Sequence, residues 1–103
     1  MDLPKIINEL NSKIKKKYSD FRGSYLYGSR ARGDYHKDSD VDIVLLFDDY
    51  DRDKETGTYE ILGDLDYKYD VVIMGILYTK KELERNLVFH NEVVNKGIYY
   101  NAA

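Results

Sequence analysis

The chain has 103 residues, of which 34% are charged and 43% hydrophobic, and it carries a net charge of −3. That length suits a single domain spanning 1–103, with one core and no second lobe, so a large acceptor would have to come from outside. With no cysteine there is neither a disulfide framework nor a thiolate metal centre. No apolar run approaches the ~18 residues of a membrane span, and the acidic balance speaks against extended nucleic-acid binding, so a cytoplasmic protein is expected.

Leu3, Ile6, Ile7, Leu10 and Ile14 recur at spacings of three and four. They predict an amphipathic first helix that ends near Lys15-Lys16-Lys17, a basic cluster suited to a helix C-terminus. Arg22 to Gly28 and Val41 to Phe47 read as the first two strands. The acid-rich stretch from Asp48 to Gly57 reads as a polar loop, and Ile61, Leu62 and Leu65 put a helix at about Thr58 to Tyr67. Asp70 to Leu77 is the expected third strand. Thr79, with Glu82 three residues on, has the pattern of a capping box for a helix over Lys80 to Phe89. A further helical turn or two follows before Gly97 stops it. Strands joined by helices at these intervals predict an α/β (α+β) sandwich with a mixed sheet of three to four strands.

The chemistry concentrates in Gly28-Ser29-Arg30-Ala31-Arg32-Gly33 and in Ser39-Asp40-Val41-Asp42. Asp40 and Asp42 stand two apart where a strand begins, so the strand period puts both carboxylates on one face. Two carboxylates so placed repel each other unless a cation or donor lies between them, and such a pair together with substrate phosphates is a usual setting for Mg²⁺. Gly28 ends a strand and Ser29 begins a short helix, which turns free backbone N–H groups and a hydroxyl toward an anion. Gly33 lets the chain leave that helix with a positive φ. Arg30 and Arg32 cannot share a face of so short a helix, and Arg32 is the one expected to reach a triphosphate. His36 and His90 are assigned no role.

The pattern Gly-Ser-x3-Gly-x5-Ser-Asp-x-Asp, carried by Gly28, Ser29, Gly33, Ser39, Asp40 and Asp42, resembles the signature of the polymerase β-type nucleotidyltransferase superfamily. Within it the chain is most similar to the minimal nucleotidyltransferases, small antitoxins found beside HEPN-domain toxins. The stretch Glu92 to Tyr100 is similar to the short helix and Gly-apolar-Tyr ending of that group, so the likeness runs along almost the whole chain. The resemblance implies a polymerase β-like fold, ATP as substrate, two Mg²⁺ ions, and a tyrosine hydroxyl of a HEPN toxin as acceptor. It also implies a third carboxylate on the neighbouring strand, for which Asp70 is the best match and Asp64 and Asp66 are rivals. On that reading Asp40, Asp42 and Asp70 are catalytic and metal-binding, while Gly28, Ser29, Arg32, Gly33 and Ser39 hold the nucleotide. Two other readings stand beside it: an antitoxin that neutralises its partner by covering it, for which the aromatic end Ile98-Tyr99-Tyr100 is suited, and a subunit of a small-molecule nucleotidyltransferase.

Overall fold

A computed structural model describes residues 1–102. Helix α1 (Leu3–Lys17) starts where the Asp2 carboxylate accepts the Lys5 amide, and Lys15, Lys16 and Lys17 occupy its last turn. Its buried face is Ile6, Ile7, Leu10 and Ile14, the stripe expected from the sequence. Strand β1 (Phe21–Tyr27) leads into the short helix α2 (Ser29–Arg32), a polar loop, and strand β2 (Val41–Phe47). Helix α3 (Arg52–Tyr69), strand β3 (Ile73–Tyr78), helices α4 (Lys80–Arg85) and α5 (Leu87–His90), a π-helical turn (Asn91–Asn95) and strand β4 (Ile98–Asn101) complete the chain.

The sheet order is β3-β2-β1-β4, with β2 and β3 parallel and the other two pairs antiparallel. Alternation along β2 sends Val41, Ile43, Leu45 and Phe47 to one face, where α1 and α3 cover them, and Asp42, Val44 and Leu46 to the other. Leu10, Ile14, Phe21, Ile43, Leu45 and Leu65 are at most 1% exposed. At about 1.5–3 kcal/mol for each fully buried large apolar side chain, this layer is the main source of stability. A smaller cluster on the opposite face joins Val44, Leu83 and Val93 to Tyr25, Tyr27, Tyr78 and Phe89.

Four sequence expectations need correction. The stretch read as loop to Gly57 turns helical at Arg52, because Asp51 caps the Lys54 amide at 2.9 Å and Asp53 and Glu55 suit a helix N-terminus. The third strand begins at Ile73, not Asp70, since Asp70 ends α3 in the left-handed region (φ 52°, ψ 52°). The helix after Thr79 is broken at Asn86, whose extended backbone ends α4 and whose side chain caps Phe89 N at 3.1 Å to start α5. The aromatic end, for which the sequence pattern predicts no strand, forms one: Ile98, Tyr99 and Tyr100 pair with Leu26, Tyr25 and Ser24 as a fourth strand. The Thr79–Glu82 capping box is formed as expected.

Candidate functional site

The site lies on the sheet face opposite α1 and α3, at the end where β2 begins. Asp42 is the cross-strand neighbour of Tyr27, so its side chain stands beside the point where β1 gives way to α2. There the chain turns at Gly28 with φ 74° and ψ −153°, a conformation open to glycine alone. A Cβ on Gly28 would lie 2.6 Å from Asp42 Oδ2. The missing side chain is therefore the space that the carboxylate occupies.

Gly28 O accepts the amides of Ala31 and Arg32, both at 3.1 Å, and Gly33 closes the helix in the left-handed region with its amide on Ser29 O at 2.9 Å. No side chain caps α2. Its first amides, Ser29 and Arg30, have no partner within the helix.

Burial pushes the Asp42 carboxyl above the usual carboxylate range, the charge of Asp40 adds to this, and Arg32 opposes both. Desolvation and then Asp42 likewise raise the Tyr27 hydroxyl. A partly buried carboxylate with a like charge two residues away is a site that gains from a cation. Asp40 stands exposed just before β2 begins and Asp42 lies within it; two carboxylates two residues apart suit Mg²⁺, whose remaining coordination positions are commonly filled by water and substrate phosphates. Among the described residues, no group of three or more His, Cys, Asp or Glu side chains is close enough to hold a metal ion. The pair fits; a triad is not assembled.

The expected third carboxylate explains why. In the parallel register Met74 lies beside Asp42, and Val72 O accepts the Val41 amide at 2.9 Å. Asp70 is exposed at the end of α3 and faces Arg30, Ser39 and Val72 across a cleft of about 310 Å³. Asp66 is committed elsewhere, with its Oδ1 accepting the Ile73 amide at 2.9 Å and its carbonyl the Val71 amide at 3.1 Å. Asp64 is exposed on α3.

Arg32, the arginine whose charge Asp42 feels, pairs with Glu92 at 2.8 Å and with Asp34 at 3.3 Å. Arg30 turns into the loop that follows α2. Ser39 Oγ accepts the His36 amide at 2.9 Å, so its hydroxyl closes a turn. Sequence reasoning missed Glu92, because nothing in the spacing of the π-helical turn signals that it reaches α2.

The polymerase beta nucleotidyltransferase family model matches residues 8–98. A Methanocaldococcus jannaschii protein named "Putative protein adenylyltransferase MJ0141" is 34% identical over 100 residues, covering 95% of this chain and 98% of its own. Among solved structures, a toxin-antitoxin with AMP-PNP superposes with a TM-score of 0.62 at 22% identity, over 93% of this chain and 72% of the other. A complex of tri-AMPylated Shewanella oneidensis HEPN toxin with MNT antitoxin gives a TM-score of 0.50 at 20% identity, over 93% and 71%. These two likenesses are of fold.

Proposed function

The chain belongs to the polymerase β nucleotidyltransferase family, and from that premise we propose that it transfers AMP from ATP to a hydroxyl of a partner protein. The partner in this reading is a HEPN-type toxin, the acceptor a tyrosine, and the chain the toxin's antitoxin in the cytoplasm. A relative at 34% identity that bears the name of a protein adenylyltransferase supports the reaction class, and the two toxin-antitoxin neighbours support the kind of partner. The observation that carries the reading is the place of Asp42 at the bare Cα of Gly28, where a Cβ would lie 2.6 Å from its Oδ2, beside the start of α2.

Asp40 and Asp42 would hold the metal, and Gly28, Ser29 and Gly33 shape the turn whose amides receive phosphate oxygens. Mg²⁺ bound there supplies neutralisation of the triphosphate charge and a lowered pKa for the attacking hydroxyl. Arg32 can add its guanidinium to the phosphates once it shares or leaves Glu92. The tyrosine oxygen attacks the α-phosphorus, the bond to the bridging oxygen breaks, and pyrophosphate departs with the electron pair. Asp70, which lines a cleft with Arg30 and Ser39, acts in this reading on the acceptor side as the proton's destination and not as a third ligand. Ser39 contributes by closing the turn before Asp40. Catalysis here is mostly positioning and charge neutralisation, as in other phosphoryl-type transfers.

The test is incubation with ATP, Mg²⁺ and a HEPN toxin, read by mass spectrometry of the toxin. AMP-sized increments are expected with the wild type and none with D40N/D42N. If the double mutant silences an unmodified toxin as well as the wild type does, covering is the function and the catalytic reading fails.

A further inference from the structure

The six-residue motif contains two arginines, and the structure gives them different work. Arg30 Nη2 donates to two carbonyls of the loop, Lys37 O at 3.1 Å and Ser39 O at 2.9 Å. Its guanidinium lies over the Tyr35 ring, 4.3 Å from the centroid, and its Nε is buried without a protein partner. Residues 33–38 of this loop are all exposed, so packing against the core does not fix them.

The carbonyl of Ser39 belongs to the peptide that joins Ser39 to Asp40. Because a peptide unit is planar, holding its oxygen also fixes the direction of Asp40 N and hence the path by which the chain enters β2. The charges that act on Asp42 are those of Asp40 and Arg32; the guanidinium of Arg30 is spent on carbonyls and a ring. A planar fork that stacks while bridging two acceptors is something arginine does and lysine does not.

We propose that Arg30 is a positioning residue: by anchoring the Ser39–Asp40 peptide and the Tyr35 ring, it sets Asp40 where its carboxylate can share one cation with Asp42. This rests on the metal reading of the aspartate pair. Residues that orient a metal ligand typically cost about 10–100-fold in metal affinity when replaced.

The experiment uses Mn²⁺ alone as the probe, without nucleotide or acceptor, together with amide hydrogen exchange of the metal-free protein and thermal melts. R30A and R30K are both expected to speed exchange at Ser39 and Val41, the hydrogen-bonded amides on either side of Asp40, and to weaken Mn²⁺ binding by about 10-fold or more. Lysine restoring Mn²⁺ affinity would show that charge, not anchoring, is what Arg30 supplies, and would overturn the proposal. Faster exchange with unchanged Mn²⁺ affinity would overturn it too, since the clamp would then serve the loop and not the ligand. D40N/D42N is the separate control: if it binds Mn²⁺ like the wild type, the metal reading is what falls.

Discussion

Gly28→Ala separates the cost of folding from the cost to the site. The backbone at φ 74° and ψ −153° lies in a region nearly closed to residues with a Cβ, which puts the conformational cost at about 1–3 kcal/mol. The new methyl carbon would meet Asp42 Oδ2 at 2.6 Å, but Asp42 Cγ and Cβ at 3.5 and 3.6 Å, which are ordinary contacts. Only the carboxylate oxygen is displaced. That torsion is a broad, two-fold rotor, so turning it away is cheap in stability. Urea denaturation should therefore show a loss of about 1–3 kcal/mol with an unchanged m-value, and the same loss should appear when Gly28→Ala is made on an Asp42→Ala background. Function should suffer more: a carboxylate turned off its cation loses about tenfold in Mn²⁺ affinity or more, equivalent to ~1.4 kcal/mol. Calorimetric titration reads that directly. A Gly28→Ala protein with wild-type Mn²⁺ affinity would refute the idea that the empty Cβ position shapes the metal site. A stability cost that vanishes without Asp42 would refute the claim that the carboxylate turns freely.

The three candidate acids after β2 should divide by role. Asp66→Ala strands the buried Ile73 amide and should cost about 1–3 kcal/mol in urea melts while ATP affinity is kept; Asp70→Asn, at a left-handed position that asparagine tolerates, should leave stability intact and lower transfer to the acceptor. Glu92→Gln combined with Asp34→Asn frees Arg32 from both of its partly exposed ion pairs, so stability should shift by less than ~1 kcal/mol for each. ATP affinity at low salt should rise by about fivefold, the equivalent of ~1 kcal/mol, and an unchanged affinity would place Arg32 outside the phosphate path. The Tyr50 hydroxyl is pushed up to about 12, by burial first and then by its hydrogen bond and charge contact with Glu82. Its folded pKa lies above the unfolded one, so the stability it contributes is present below pH ~10 and is lost as pH rises toward 12. Tyr50→Phe should remove that part of the alkaline loss, and ultraviolet difference titration should show one fewer late-titrating tyrosine.

Local patterns were legible and long-range pairings were not. The left-handed exit at Gly33 follows from its residue type and the start of α4 from Thr79 and Glu82; each needs only a few neighbouring residues. The strand face expected to carry both Asp40 and Asp42 carries Asp42, because β2 begins at Val41. The start of α3 was hidden by two ambiguous signals. Asp49, Asp51 and Asp53 are as frequent in loops as at helix N-termini, and Gly57 reads as a breaker. It stands inside the helix because a Cβ there would collide with the Tyr18 hydroxyl, a contact between segments that no local pattern reveals. Strand β4 was hidden for the same reason: its pairing with β1 joins residues more than seventy positions apart.

The third carboxylate shows how a register decides chemistry. Val71, Val72, Ile73 and Met74 follow Asp70 directly, so alternation alone would carry the strand back to the acid and put it on the face of Val72 and Met74. The Asp66 carboxylate instead takes the Ile73 amide, and α3 closes at Asp70 with its backbone turned left-handed. To stand where Met74 stands beside Asp42, Asp70 would have to move four strand positions, about 13 Å, and to reach the place of Val72 two positions, about 6.6 Å. Neither shift keeps the other pairs of β2 with β3. In this register the face next to the aspartate pair is apolar, with Val72, Met74 and Ile76 exposed at 54%, 50% and 42%. On the proposed reading Asp40 and Asp42 would take the charge of the nucleotide side, and β3 brings no carboxylate beside Asp42 to join them.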